Sequence, residues 1–255
     1  MATLGDQVFV VRYDSLNVEV YDAETFTHQP DLRVPGLGSY TEGLAACASR
    51  RCVYLSEGYS GSVHRIGLEV SLFGKKAVKK WAANKGSAGL SVNKEHNLVV
   101  ACHDSNRLDE YTTDGKLERG IRMQAGVTHP WHAVQLSTGH YVVSQCTSPG
   151  VVSVVGVDGQ VVSNYGQSET SDVGQMKYPS SLAVTKNEDI LVADKGNNRI
   201  LSIVRSTGCV QELALSVDGG IQAPMGLCLD ESRGRLYVGE LGRQHRLLVF
   251  EGVKM

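Results

Sequence analysis

Short apolar runs, ended again and again by Gly, Asn, Asp or Ser, organise this chain. Valine is abundant in them, and no segment sustains apolar positions at the 3.6-residue spacing of an amphipathic helix. β-Branched content and period-two alternation predict strands instead. The stretch "ILVADKGNNRI" at 190–200 shows the unit: an apolar run ends in an acid, turns through residues that tolerate positive φ, and restarts with Arg-Ile. That is a β-hairpin signal.

The hairpin recurs. "LVVACHDSNRL" (98–108) overlays it, and looser copies are "VYLSEGYSGSV", "YVVSQCTSPGV", "LYVGELGRQHR" and "FVVRYDSLNV". Their anchors are Val10, Leu55, Val100, Val143, Val192 and Val238, spaced by 45, 45, 43, 49 and 46 positions. Ahead of five copies stands a short strand with small residues: "EGLAAC", "AGLSVN", "WHAVQL", "SSLAVT" and "MGLCLD". In the first unit its counterpart is "ATL", joined to the next strand through Gly5-Asp6. Extended segments such as "AVKKW", "KLERGI", "QVVSNY" and "CVQELA" follow the hairpins. Each unit is therefore four short strands, which cannot bury both faces alone and must stack on its neighbours.

The expectation is an all-β chain, a single six-bladed β-propeller domain over residues 1–255 with four-stranded antiparallel blades. The blades fall at about 1–35, 36–83, 84–126, 127–166, 167–218 and 219–255. The sixth lacks a clear fourth strand unless "EGVKM" or a shifted N terminus supplies it.

Composition narrows the function classes. With 42% hydrophobic and 20% charged residues the chain reads as globular. A net charge of -2 gives no global attraction to nucleic acid or anionic membranes. No apolar run nears the roughly 20 residues that span a bilayer, and "MATLGDQVFV" lacks the pattern of a signal peptide. The six cysteines are dispersed without metal-binding spacing, which suits buried thiols in a reducing, cytoplasmic setting. Cys47 and Cys52, in "CASRRC", flank a turn and are placed to face each other, bridged only if the protein is secreted.

The fifth unit, with Gly-Gln ahead of Tyr-Pro and then "VADKGNNRI", closely resembles an NHL repeat. The third unit is similar, and the others keep the spacing more than the wording. The WD dipeptide and the kelch Gly-Gly pattern are absent from repeat positions. The whole chain thus resembles an NHL-type propeller like the C-terminal domain of TRIM-NHL proteins. That resemblance implies a noncatalytic, monomeric recognition module, the substrate-recognising end of a TRIM-like ubiquitin ligase.

Asp194 and Arg199 flank the repeated loop and are read as fixing its geometry rather than as catalytic. An exposed pair of this kind contributes roughly 0 to 1 kcal/mol. In the third unit Cys102 takes the acid's place.

Function is expected in the loops, since the strands are committed to packing. The candidate binding residues are Tyr13, Tyr40, Glu42, Tyr59, His103, His129, Trp131, His132 and Tyr178. Aromatics beside polar groups suit recognition of a protein or peptide. Trp131 is equally suited to packing against a neighbouring blade.

No cofactor and no metal is expected, and no catalytic motif of the G-x-S-x-G, H-E-x-x-H or phosphate-loop type is present. An alternative groups His129, His132 and Glu42 as metal ligands, in the manner of lactonase-like propeller hydrolases or lyases. Glu42-Gly43 is similar to the start of the lactonase pattern, but no matching Asn and Asp set follows. A second alternative is RNA binding. It fits less well, because Asp14, Glu42, Asp104, Glu169, Asp172 and Asp218 outnumber Lys85, Lys177, Lys195 and Arg243 in the loops. Lys75, Lys76, Lys79 and Lys80 fall on an outer strand, where lysines guard an edge.

Overall fold

The computed structural model describes residues 1–12, 15–38, 40–70, 76–166, 172–242 and 245–253. The chain divides into two compact units, Met1–Ile121 and Arg122–Met255.

The first unit holds three four-stranded antiparallel sheets in which consecutive strands are neighbours. They are β1 (Ala2–Leu4), β2 (Gln7–Val11), β3 (Asn17–Asp22) and β4 (His28–Arg33); β5 (Thr41–Cys47), β6 (Cys52–Glu57), β7 (Ser62–Val70) and β8 (Lys76–Ala82); and β9 (Ser87–Val92), β10 (Leu98–Cys102), β11 (Arg107–Tyr111) and β12 (Leu117–Arg122). The second unit repeats the plan. Its sheets are β13 (Pro130–Gln135), β14 (Tyr141–Gln145), β15 (Val151–Val155) and β16 (Val161–Tyr165); β17 (Pro179–Val184), β18 (Ile190–Asp194), β19 (Arg199–Val204) and β20 (Cys209–Glu212); and β21 (Pro224–Asp230), β22 (Arg235–Glu240) and β23 (Leu247–Glu251). The fold class is all-β, a six-bladed β-propeller; the helices of the described residues are short 3-10 turns.

The sixth sheet has three strands among the described residues, and β1 pairs with β2 in the first sheet, so Ala2–Leu4 does not complete it.

Burial explains the sequence pattern. The second strand of a sheet is covered on both faces, so β6, β10, β14 and β18 are buried throughout and read as apolar runs, three of which close on buried polar residues. The fourth strands are largely exposed, β8 with Lys76, Lys79 and Lys80 among them, and Lys75 lies outside the described residues. The cores lie between successive sheets. Phe9, Val18, Val20 and Leu32 of the first pack with Leu44, Val53, Leu55 and Ile66 of the second. Leu182, Ile190 and Val192 of the fifth likewise meet Val142, Val152 and Val154 of the fourth. Cys47 and Cys52 sit directly opposite each other on β5 and β6 as buried free thiols.

A buried acceptor at the end of the second strand ties down the loop that leads into its own sheet. Glu57 Oε1 accepts from Gly38 N (2.9 Å), Gln145 Oε1 from Thr128 N (2.8 Å), Asp194 Oδ1 from Lys177 N (2.7 Å) and Glu240 Oε1 from Gln222 N (2.6 Å). In the third sheet Cys102 occupies this position, and Asp109 on the next strand takes over, accepting from Asn84 and from Arg107 Nε.

The acids carry their own cations. Arg199 Nε lies 2.9 Å from Asp194, and Arg246 Nε 2.7 Å from Glu240. The Asp194–Arg199 pair is not the exposed surface pair the sequence suggested: Asp194 is fully buried and Arg199 is 13% exposed. Arg199 also donates to the carbonyls of Val173 and Gln175, which gives the pair a structural role. In the loop, the positive φ falls on Asn198 (φ 56), whereas Gly196 is required because a side chain there would run into Lys177.

Glu57 yields a pH prediction. Burial alone would raise its pKa, but hydrogen bonds from Ser60, the Gly38 N–H and His64 outweigh that and hold the carboxyl down to about 2. His64, whose own pKa burial lowers, is neutral at pH 7 and donates Nε2–H to Glu57. A carboxyl depressed in the folded state contributes stability that is complete above its unfolded value, 4.5, and is lost as pH falls toward about 2. Urea unfolding across this window is expected to show that loss in the native protein and a flatter profile in Glu57→Gln. An identical slope in both would contradict the assignment.

Candidate functional site

The residue immediately before the first strand of every sheet from the second to the sixth has positive φ: Tyr40 (φ 78), Gly86 (φ 72), His129 (φ 52), Tyr178 (φ 54) and Ala223 (φ 44). Four of the five are not glycine, and each such residue costs of order 1–3 kcal/mol, a strain that collects at functional sites. Backbone bonds hold the geometry. Gly86 N donates to Gly58 O (3.2 Å), Tyr178 N to Thr147 O (2.8 Å), and Leu241 N to Ala223 O (3.0 Å). Directly after each of these residues the pairing of first and second strands shifts register, between Thr41 and Gly43, Ser87 and Leu90, Pro130 and His132, Pro179 and Leu182, and Pro224 and Gly226. Such bulges re-aim side chains. Glu42, Trp131 and Met225 sit on them.

In the first unit this geometry assembles a patch from Tyr40, Glu42, Tyr59, His103 and Asp104. The rings of Tyr40 and Tyr59 meet edge to face, with centroids 5.0 Å apart. Both stay open to solvent, Tyr40 at 41% and Tyr59 at 75% exposure. Beside them the Glu42 carboxyl packs on Gly58, where a Cβ would collide with it, and its Oε2 is buried without a hydrogen-bond partner. The Asp104 carboxyl packs on Gly86 in the same way and accepts from His103 Nδ1 at 2.7 Å. Burial, reinforced by the neighbouring Asp104 charge, raises the Glu42 pKa above the ordinary carboxylate range.

The remaining candidates lie in the second unit. His129 and Tyr178 are exposed, and Trp131 is half-buried. His132 reaches the fifth sheet: its Nδ1 accepts from Leu182 N at 3.0 Å. A neutral ring held this way carries its proton on Nε2 and presents a donor there rather than a lone pair. Serine bonds run on from sheet to sheet, with Ser144 Oγ of the fourth donating to Ser180 O of the fifth and Ser180 Oγ to Pro224 O of the sixth. Tyr13 lies outside the described residues, as do Asp14, Glu169 and Arg243. Glu42 belongs to the first unit and His129 and His132 to the second. Among the described residues no group of three or more His, Cys, Asp or Glu is disposed to hold a metal ion.

The left-handed residues and their bulges escaped the sequence reading. The signal is there in "HPW", "YPS" and "APM", where a residue precedes proline at the head of each first strand.

A family model of the NHL repeat matches residues 176–201, the heart of the fifth sheet. No curated protein matches the sequence. Among solved structures the chain is similar to a protein of unknown function from Bacteroides caccae, with a TM-score of 0.73 and 17% identity over 97% of this chain and 90% of that one. It is also similar to virginiamycin B lyase from Staphylococcus aureus, with a TM-score of 0.65 and 13% identity over 99% and 84%. A chain of a nidogen/laminin complex matches with a TM-score of 0.67 and 14% identity over 96% and 92%. Identities this low establish the fold alone. Sheet architecture and repeat together define an NHL-type β-propeller.

Proposed function

We propose that this propeller is a noncatalytic recognition module that binds a protein or peptide partner through the Tyr40–Tyr59 patch. The observation that carries the reading is the exposed edge-to-face ring pair, set on a strained residue and flanked by carboxylates. Rigid aromatic rings bury a large area at small entropic cost, which is why they anchor interfaces. The similarity to a chain of the nidogen/laminin complex, itself an assembly of proteins, supports the use of this fold for such contacts. The buried polar residues support it from the other side: Asp194 and Glu240 are engaged with backbone and arginine, and Asp109 with Asn84 and arginine, and they hold loops rather than a reaction centre.

In this reading the chain is a monomeric, cytoplasmic domain and the substrate-recognising part of a ubiquitin ligase similar to TRIM-NHL proteins. The NHL repeat and six free cysteines support it.

Affinity capture from cell extract, followed by identification of the bound proteins, tests the proposal. A specific protein retained by the native chain and lost from Tyr40→Ala/Tyr59→Ala is the expected result. Unchanged capture by the variant, or turnover of a lactone substrate by the purified native protein, would overturn it.

A further inference from the structure

The patch also specifies the chemistry of what it binds. Among the described residues, each buried acid is matched by a cation of its own. Glu57 has Lys80, Asp109 has Arg107, Glu110 has Arg119, Asp194 has Arg199, Asp230 has Arg233 and Glu240 has Arg246. Half-buried Glu42 has no such partner. Among the described residues it makes no ion pair, its Oε2 is buried with nothing donating to it, and the charge that acts on it is the like charge of Asp104. Asp104 pairs with the His103 ring.

A desolvated carboxylate without a donor is costly, and a second carboxylate next to it adds repulsion. The protein nevertheless maintains the arrangement with glycines at 58 and 86, where any side chain would displace the two carboxyl groups. Next to this uncompensated negative charge stand two solvent-exposed tyrosine rings. An aromatic face attracts a cation, and a guanidinium stacks on rings while donating in a planar fork to carboxylate oxygens. Lysine offers a point charge without the stacking plane.

We infer that the patch receives an arginine side chain of the partner, its guanidinium lying against Tyr59 and Tyr40 and donating to the Glu42 and Asp104 carboxylates. The inference rests on the recognition reading above and names the partner as a basic peptide segment. Charge complementarity selects it over RNA, whose phosphates the two carboxylates repel.

The test uses the full chain and the peptide acetyl-Gly-Gly-Arg-Gly-Gly-amide, compared with its citrulline counterpart, which keeps shape and hydrogen bonding but removes the charge. Binding is read from the ring resonances of Tyr40 and Tyr59. The arginine peptide is expected to shift them saturably and to bind at least about fivefold more tightly than the citrulline peptide. Glu42→Gln is expected to cut that difference to about half or less, the Asp104 carboxylate keeping the remainder, while leaving thermal unfolding intact, since it removes only an unpaired charge. Equal binding of the two peptides, an unchanged preference in Glu42→Gln, or no shift up to about 10 mM peptide overturns the inference. So does an oligouridine RNA that shifts the same tyrosine resonances while the peptide does not. Those outcomes leave the recognition reading to the capture experiment. Conversely, an arginine preference alongside unchanged capture would sink the proposed partner role and keep the cation site.

Discussion

Replacing Gly43 with valine is expected to lower the unfolding free energy by about 4 kcal/mol or more, or to prevent folding. Gly43 lies on β5 where the second sheet packs against the third. A Cβ there would meet the Ala88 carbonyl oxygen, stand 2.6 Å from Ser56 Oγ and lie 2.8 Å from Leu90 Cγ. The first of these is backbone of a neighbouring strand and cannot swing aside. Ser56 Oγ is also committed, donating to that same Ala88 carbonyl at 2.8 Å. Gly67→Ala serves as the control, because its Cβ would find only ordinary contacts with Ala77 at 3.6 Å and beyond. Urea unfolding should separate the two by most of the expected loss, and a Gly43→Val protein as stable as Gly67→Ala would refute the packing described here.

Asp194→Ala is expected to cost about 3–5 kcal/mol, the penalty for breaking a buried ion pair and stranding its partner. The carboxylate accepts from Lys177 N, Asn197 Nδ2 and Arg199 Nε at once. Its removal leaves the Lys177 N–H and one edge of a largely buried guanidinium unmatched. Asp194→Asn separates charge from hydrogen bonding. In the fourth sheet Gln145 does the corresponding work with a carboxamide, accepting from Thr128 N and donating to Ser153. The asparagine variant should therefore recover part of the loss. Equal destabilisation by both substitutions would place the whole effect in the charge.

The contrast between these residues shows what the sequence could disclose. Strand positions were legible because a second strand buried on both faces is apolar up to the residue that ends it, as "ILVA" before Asp194 and "LVVAC" are. The repeat spacing was legible because stacking sheets need equal units. The Asp194–Arg199 pairing could be read from the hairpin register, but its burial could not, since that depends on the loop at Val173 and Gln175 folding over Arg199. The substitution of Asp109 for the missing acid at Cys102 was hidden for a similar reason: the replacement comes from the next strand. Tyr40, Glu42, Tyr59 and His103 were singled out as separate loop residues, and only the left-handed turn at Tyr40 with the following bulge brings them into one patch. His132 looked like a free imidazole in "HPWH", yet its Nδ1 is spent on the backbone of the adjacent sheet.

The central claim is that recognition resides in the Tyr40–Tyr59 patch, while the buried acids serve the scaffold. Thermal unfolding and partner capture measured on one preparation of Tyr40→Ala/Tyr59→Ala test it most directly. The account predicts an unfolding temperature close to that of the native protein together with loss of the captured partner. A variant that keeps its partner at native strength would contradict it.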